Sequence, residues 1–323
     1  MSNIETSPAE LTCSTGASDA RVEIVRARDV PLGGPRAITV RRTLPQRARS
    51  LIGAWCFIDH FGPVDVEMSD GVDVPPHPHT GLQTVSWLFS GEIEHRDSLG
   101  TYAAVRPGEL NLMTGGHGIC HSEVSTRALP VLHGVQLWVA LPGEHRDAPR
   151  GFQHHVPELI ELDGAQARVF LGSLAGVTSP VPTFTPLLGA EITLDPMGVM
   201  VLTVDPGFEH GVLVDSGAVT VEGTEIERGD LGYLGTGIAT VTLKNRSAEQ
   251  ARLLLLGGEP FGEDIVMWWN FVGRSHDEIA QFRQEWQEES DRFGHVAGYE
   301  GALSRLPAPP LPNVRLTPRG NPR

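Results

Sequence analysis

The chain has 323 residues, 40% of them hydrophobic and 20% charged, and a formal net charge of −15. That length suits two domains of ordinary size, and the composition is that of a globular protein. The acidic balance excludes a general affinity for nucleic acid, because most of the surface repels phosphate, and no apolar run approaches the length of a membrane span.

Residues 1–20, rich in Ser, Thr and Ala, read as a disordered leader without the basic start and apolar centre of a signal peptide. Cys13, Cys56 and Cys120 are an odd set at long spacings that forms neither a disulfide framework nor a zinc ribbon. A reducing, cytoplasmic location fits them. Structure is expected from Val22 onward, where Val22, Ile24, Ile38 and Val40 alternate with charged neighbours as in half-buried strands. The arginines Arg41, Arg42, Arg47 and Arg49 read as solvated turn and strand-edge residues.

Short apolar runs then recur between turn signals at Leu51–Ile58, Thr84–Phe89, Glu109–Met113 and Val135–Ala140. Such spacing without helical periodicity predicts a sandwich or barrel. Three prolines, Pro180, Pro182 and Pro186, mark 172–189 as a linker or an inter-domain connection. A second run of strands is predicted at Val199–Val204, Gly211–Val214, Ala218–Val221, Ala239–Leu243 and Arg252–Leu256. One helix is predicted over 275–289, where Ser275 and Glu278 form a capping box and Ile279, Phe282 and Trp286 define an apolar face. Residues 307–323, rich in Pro and Arg, are expected to be an extended or disordered tail. The predicted organisation is all-β: one barrel over 21–165 and a second over 166–306 that includes the helix.

The segment Pro75-Pro76-His77-Pro78-His79 carries the chemistry. In a strand, residues i and i+2 share a face, so His77 and His79 project together. Pro78 faces the other way, and its missing N–H predicts an unpaired edge. His121 and Glu123 repeat the spacing. On neighbouring strands facing a barrel interior, the two pairs place three imidazoles and a carboxylate around one point. Those donors suit one divalent transition metal, whether iron, nickel, manganese, copper or zinc. Nearby, His95 and Asp97 share a face, either lining the cavity and orienting ligands or making ordinary cross-strand bonds. His60, next to Asp59, reads as a structural pair or a cavity residue, and His117 as a turn residue. Cys120 alternates away from the site and reads as a buried thiol.

The run His77-Pro-His79-Thr-Gly-Leu-Gln83-Thr, then His95-Arg-Asp97-Ser-Leu-Gly100, then Met113 to Glu123, strongly resembles the pirins, a branch of the cupin superfamily. Residues 59–63, 136–139 and 270–273 extend the resemblance over nearly all of 22–306. It implies a bicupin of two tandem antiparallel β-barrels, with one metal, iron as Fe(II) foremost, on His77, His79, His121 and Glu123. Many cupins carry a metal-binding Glu where Gln83 stands, but in pirins the carboxylate comes from the later motif. The second half has His210 as its one histidine between His155 and His276, so its barrel is expected to be metal-free. Pirins are known both as quercetinase-type dioxygenases and as non-enzymatic modulators of transcription or metabolism. The resemblance therefore implies either a small aromatic or enol substrate with dioxygen, Glu123 serving as catalytic base, or a protein partner.

Overall fold

The computed structural model describes residues 21–32, 38–69 and 71–321, so the expected leader lies outside the described residues. Two antiparallel barrels of the same plan make up the chain, each pairing a seven-stranded sheet with a four-stranded one. In the first, the large sheet runs in the order Gly151–His155, Leu110–Thr114, Leu82–Ser90, Val131–Ala140, Trp55–Asp65, Ile38–Leu44 and Arg28–Leu32. Its small sheet runs Asp73–His79, Ile119–Ser125, Ile93–Asp97 and Tyr102–Val105. The Asp73–His79 strand is an edge, as Pro78 requires. No helix among the described residues is long and apolar enough to cross a membrane.

Alternation along the strands divides the side chains between two destinations. On Val131–Ala140, Val135, Leu137 and Val139 join Trp55, Val85 and Trp87 in an apolar layer shared with Phe170, Leu213, Leu254 and Leu256 of the second barrel. Gln136 and Trp138 alternate with them and face the first barrel's interior. The two large sheets thus pack on each other. Trp87 stacks on Phe170 with centroids 4.6 Å apart, and the Trp55 indole N–H donates to the carbonyls of Leu188 and Gly257 at 3.1 and 3.2 Å. Each such aromatic ring taken from water contributes about 1.5–3 kcal/mol.

The chain's ends are exchanged between the barrels, which sequence reading did not anticipate. The strand Glu23–Val25 pairs with Leu231–Leu234 at the edge of the second barrel's large sheet. Conversely, the helix His276–Gln287 follows the second barrel in the chain but buries Ile279 and Trp286 in the apolar core that also holds Val30, Phe61 and Val74 of the first. Ser275 caps it, its hydroxyl accepting from Glu278 N at 3.2 Å. The reciprocal bond reaches one residue further back, from Arg274 N to Glu278 Oε2 at 2.6 Å. The Pro-rich tail is extended but docked: Leu306 and Ala308 enter the first barrel's core, and the Asn321 amide bonds the backbone of Ser50 and Leu51.

Two further expectations are corrected. The segment 172–189 lies within the second barrel, since Ile160–Leu162 and Ala165–Leu171 already belong to its large sheet; the crossover between the barrels falls between His155 and Ile160. Arg42 is not solvated. It is 1% exposed and makes a bidentate pair with Asp59 at 2.7 and 2.9 Å, because strand alternation turns both side chains inward.

Candidate metal centre

The strand Ile119–Ser125 sits centrally in the small sheet and sets the site. In register, His121 stands opposite His77 on one side and opposite Asp97 on the other. Glu123 stands opposite His95, and a bulge between His121 and Glu123 shifts the pairing so that Glu123 faces Val74 on the edge strand. Centroids of the three rings lie 4.3 Å (His77–His121), 5.0 Å (His79–His121) and 5.1 Å (His77–His79) apart. One nitrogen from each can be chosen so that all lie within 4.8 Å of one another. His121, Glu123 and His95 form a second such group that shares the His121 ring. Thus the structure brings the three predicted imidazoles together directly and attaches Glu123 to them through His121.

All four side chains are fully buried. Burial holds the pKa values of His77, His79 and His121 well below the ordinary imidazole value, and at His121 the charges His77 and His79 would carry push the same way. The rings are therefore neutral, as metal coordination requires. His79 Nε2 and His121 Nε2 are 3.1 Å apart. His77 Nδ1 is occupied by the Pro75 carbonyl at 2.9 Å, while His77 Nε2 has no hydrogen-bond partner. An orphaned, buried imidazole nitrogen beside two further imidazoles fits a cation and is costly without one.

Around this set, His95 Nδ1 lies 3.3 Å from His121 Nδ1, and its other nitrogen lies 3.2 Å from Asp97 Oδ2. Burial works against the Asp97 charge, but the bonds from His95 and the Thr101 backbone outweigh it and hold this carboxyl below its usual range. The pair thus contacts the ring it could orient, in the manner of carboxylate–histidine supports. His117, in the loop before this strand, instead lies at the surface and meets Arg292. Cys120 is buried on the opposite face of its strand, as expected. Gln83 bonds Thr114 Oγ1 at 3.0 Å.

His60 is not a cavity residue. It alternates away from Asp59 onto the outer face and meets Asp215 of the second barrel at 2.7 Å. His133 reaches the same carboxylate oxygen at 2.6 Å, and Arg252 takes its other oxygen at 2.8 Å. No sequence spacing links His60, His133 and Asp215. The Arg41 guanidinium faces His60 Nδ1 at 3.3 Å, which places the ring's proton on Nε2 toward Asp215 and makes this a hydrogen-bonded latch between barrels.

Sequence reading also passed over the wall facing the candidate ligands. Phe57 and Trp138 stack at 4.0 Å, and Trp138 lies edge-on to His79 at 5.3 Å. Ser86 Oγ lies 3.4 Å from Glu123 Oε1 and 2.9 Å from Gln136 Oε1. Strand alternation at Val135, Gln136, Leu137 and Trp138 was the available signal for the inward pair.

Two cupin-plan barrels, with a histidine-rich centre among the described residues in the first, define a bicupin. The chain belongs to the pirin family: the Pirin family model matches residues 37–139, and that of the pirin C-terminal cupin domain matches 189–294. It is 46% identical over 290 residues to a Pseudomonas aeruginosa protein named "Putative quercetin 2,3-dioxygenase", covering 89% of this chain and 90% of that one. Human pirin is 31% identical over 71% of this chain and 81% of its own. A crystal structure of quercetin 2,3-dioxygenase from Acinetobacter baumannii superposes with a TM-score of 0.85 at 38% identity, covering 92% of this chain and 98% of that one.

Proposed function

We propose that this chain is a metal-dependent dioxygenase of the quercetinase type, holding one divalent transition metal on His77, His79, His121 and Glu123. The observation that carries the reading is the convergence of three buried, neutral imidazoles with His77 Nε2 left without a partner. Fe(II) is the metal we favour; nickel, manganese, copper and zinc suit the same donors. When bound, the metal supplies Lewis acidity toward a flavonol-like or enol hydroxyl and a redox-capable contact for dioxygen. The remaining work falls to the chain. Glu123 accepts the hydroxyl proton, with Ser86 beside its Oε1. Asp97 and His95 fix the His121 ring, and Phe57 and Trp138 offer an aromatic wall and keep water out. The two relatives named for quercetin 2,3-dioxygenase support the substrate class.

Elemental analysis of anaerobically purified protein, followed by dioxygen uptake with a flavonol panel, tests the reading. Metal equimolar with chain and uptake with at least one flavonol are expected, and Glu123→Gln should keep part of the metal and lose uptake. Full uptake by that variant removes Glu123 from the base role, and metal without uptake on any flavonol removes the oxygenase reading.

One observation favours a second reading. None of the four candidate ligands reaches the surface, so a flavonol needs a path that must open. A metal whose oxidation state alters the charge beneath a protein-binding surface needs none. On that reading the chain is a non-enzymatic modulator, and its acidic surface favours a protein over nucleic acid. Partners retained on the immobilised protein differently under oxidising and reducing conditions would support it.

A further inference from the structure

The second barrel holds one buried histidine whose ring nitrogens find no hydrogen-bond partner among the described residues. His210, on the strand Glu209–Ser216, is fully buried. It shares the face on which Val212 and Val214 enter that barrel's core. Neither of its ring nitrogens has a hydrogen-bond partner, an unfavourable state for an imidazole in apolar surroundings. Opposite it in the sheet is Gly257. A Cβ there would stand 3.0 Å from His210 Cδ2 and 3.4 Å from Leu188 Cβ, so the glycine keeps the space beside the ring small but open.

Leu188 is also a wall of a cavity of about 180 Å³ that opens to solvent at the barrel's mouth, with Leu174, Val204 and Phe208 as further apolar walls and Thr203 and Asp205 at the rim. The half-buried Phe208 ring lies 6.2 Å from that of His210, centroid to centroid. Leu188 and Phe208 therefore border both the cavity and the imidazole. Burial lowers the His210 pKa to about 4, with the Asp205 charge opposing it. The ring is neutral near pH 7 and presents one acceptor and one donor.

We propose that the second barrel is a binding site for a small neutral hydroxyaromatic of the single-ring phenol class, with His210 as its polar anchor. The volume is close to the ~150 Å³ cavity that accepts benzene in an apolar protein core. Four apolar walls suit one ring, the hydroxyl donates to the unprotonated imidazole nitrogen, and a water entering with the ligand takes the other. The Asp205 carboxylate at the rim, with no cationic side chain among the lining residues, excludes an anion. His210 does not itself line the cavity, so the hydroxyl reaches the ring only once the Phe208 ring, which borders both, turns aside.

The test is calorimetric titration of the chelator-stripped full chain with phenol and with benzene. Saturable phenol binding at least tenfold tighter than benzene is expected, with His210→Leu bringing phenol to the affinity of benzene and Leu188→Trp, which fills the cavity from its buried wall, abolishing both. Absence of saturable phenol binding, or a His210→Leu chain that binds phenol as tightly as wild type, overturns the proposal. Should His210→Leu fail to fold, the nitrogen resonances of ¹⁵N-histidine-labelled wild type decide: phenol must shift those of one buried, neutral ring, and unmoved resonances overturn it.

Discussion

Asp215→Ala tests whether the two barrels are held by one buried carboxylate. Its Oδ1 receives His60 at 2.7 Å and His133 at 2.6 Å, and its Oδ2 receives Arg252 at 2.8 Å, with the carboxylate 1% exposed. Desolvation alone would raise its pKa, but bonds from His133 and His60 and the Arg252 charge overcome that and hold the carboxyl far below its ordinary range. Hydrogen bonds to a charged group are each worth about 1.5–3 kcal/mol, and removing one side of a buried pair strands its partners. The substitution should therefore cost about 3–5 kcal/mol in urea unfolding at pH 7. At about 1.5 °C per kcal/mol for a cooperative unit of this length, melting should fall by roughly 4–8 °C. His60→Asn, which removes a single donor, should cost less than half as much. Metal content should not change, because His60 and His133 face away from the first barrel's interior. A cost under about 1 kcal/mol for Asp215→Ala would show that the latch contributes little to joining the barrels.

Replacing a central ligand should separate binding from folding: His121→Ala is expected to retain less than a tenth of the wild-type metal by elemental analysis while keeping its β-rich circular dichroism. Part of the acid sensitivity of the fold comes from His210, whose folded pKa is lowered to about 4 by burial, below the ordinary imidazole value of about 6.5. Its unfolded form binds a proton that the folded form refuses, so stability is full above about pH 6.5 and is lost as pH falls toward 4, at up to about 1.4 kcal/mol per pH unit. Urea titrations at pH 4.5 and 7 should show a smaller difference in His210→Leu than in wild type; an equal difference would refute the assignment. Burial raises the thiol pKa values of Cys56 to about 12 and of Cys120 to about 11, so neither should react with iodoacetamide at pH 8 until the chain is unfolded, as mass spectrometry can read.

Much of the candidate site was legible because its geometry is local. His77 with His79, and His121 with Glu123, need only a strand's period of two to share a face, and Pro78 marked the edge that the first pair occupies. What escaped depends on contacts distant in sequence. Arg42 looked solvated because its neighbours are charged, and only the adjacent strand supplies Asp59. His60 could not be placed without Asp215, which lies 155 residues away. Helix periodicity marked Ile279 and Trp286 as buried without saying which barrel would cover them. Gln83 and His210 looked alike, as polar residues lacking a ligand's company, yet only Gln83 finds a side-chain partner, Thr114.

The exchanged termini have a consequence for how the molecule can be divided. A cut in the crossover between His155 and Ile160 would leave the N-terminal fragment without the helix and tail that complete the core holding Val30, Phe61 and Val74, and the C-terminal fragment without the edge strand Glu23–Val25. Each half would expose a raw apolar or unpaired border shaped for its missing neighbour. Such fragments should be poorly soluble when made separately and should recombine when made together. The pair of barrels is thus one unit of folding.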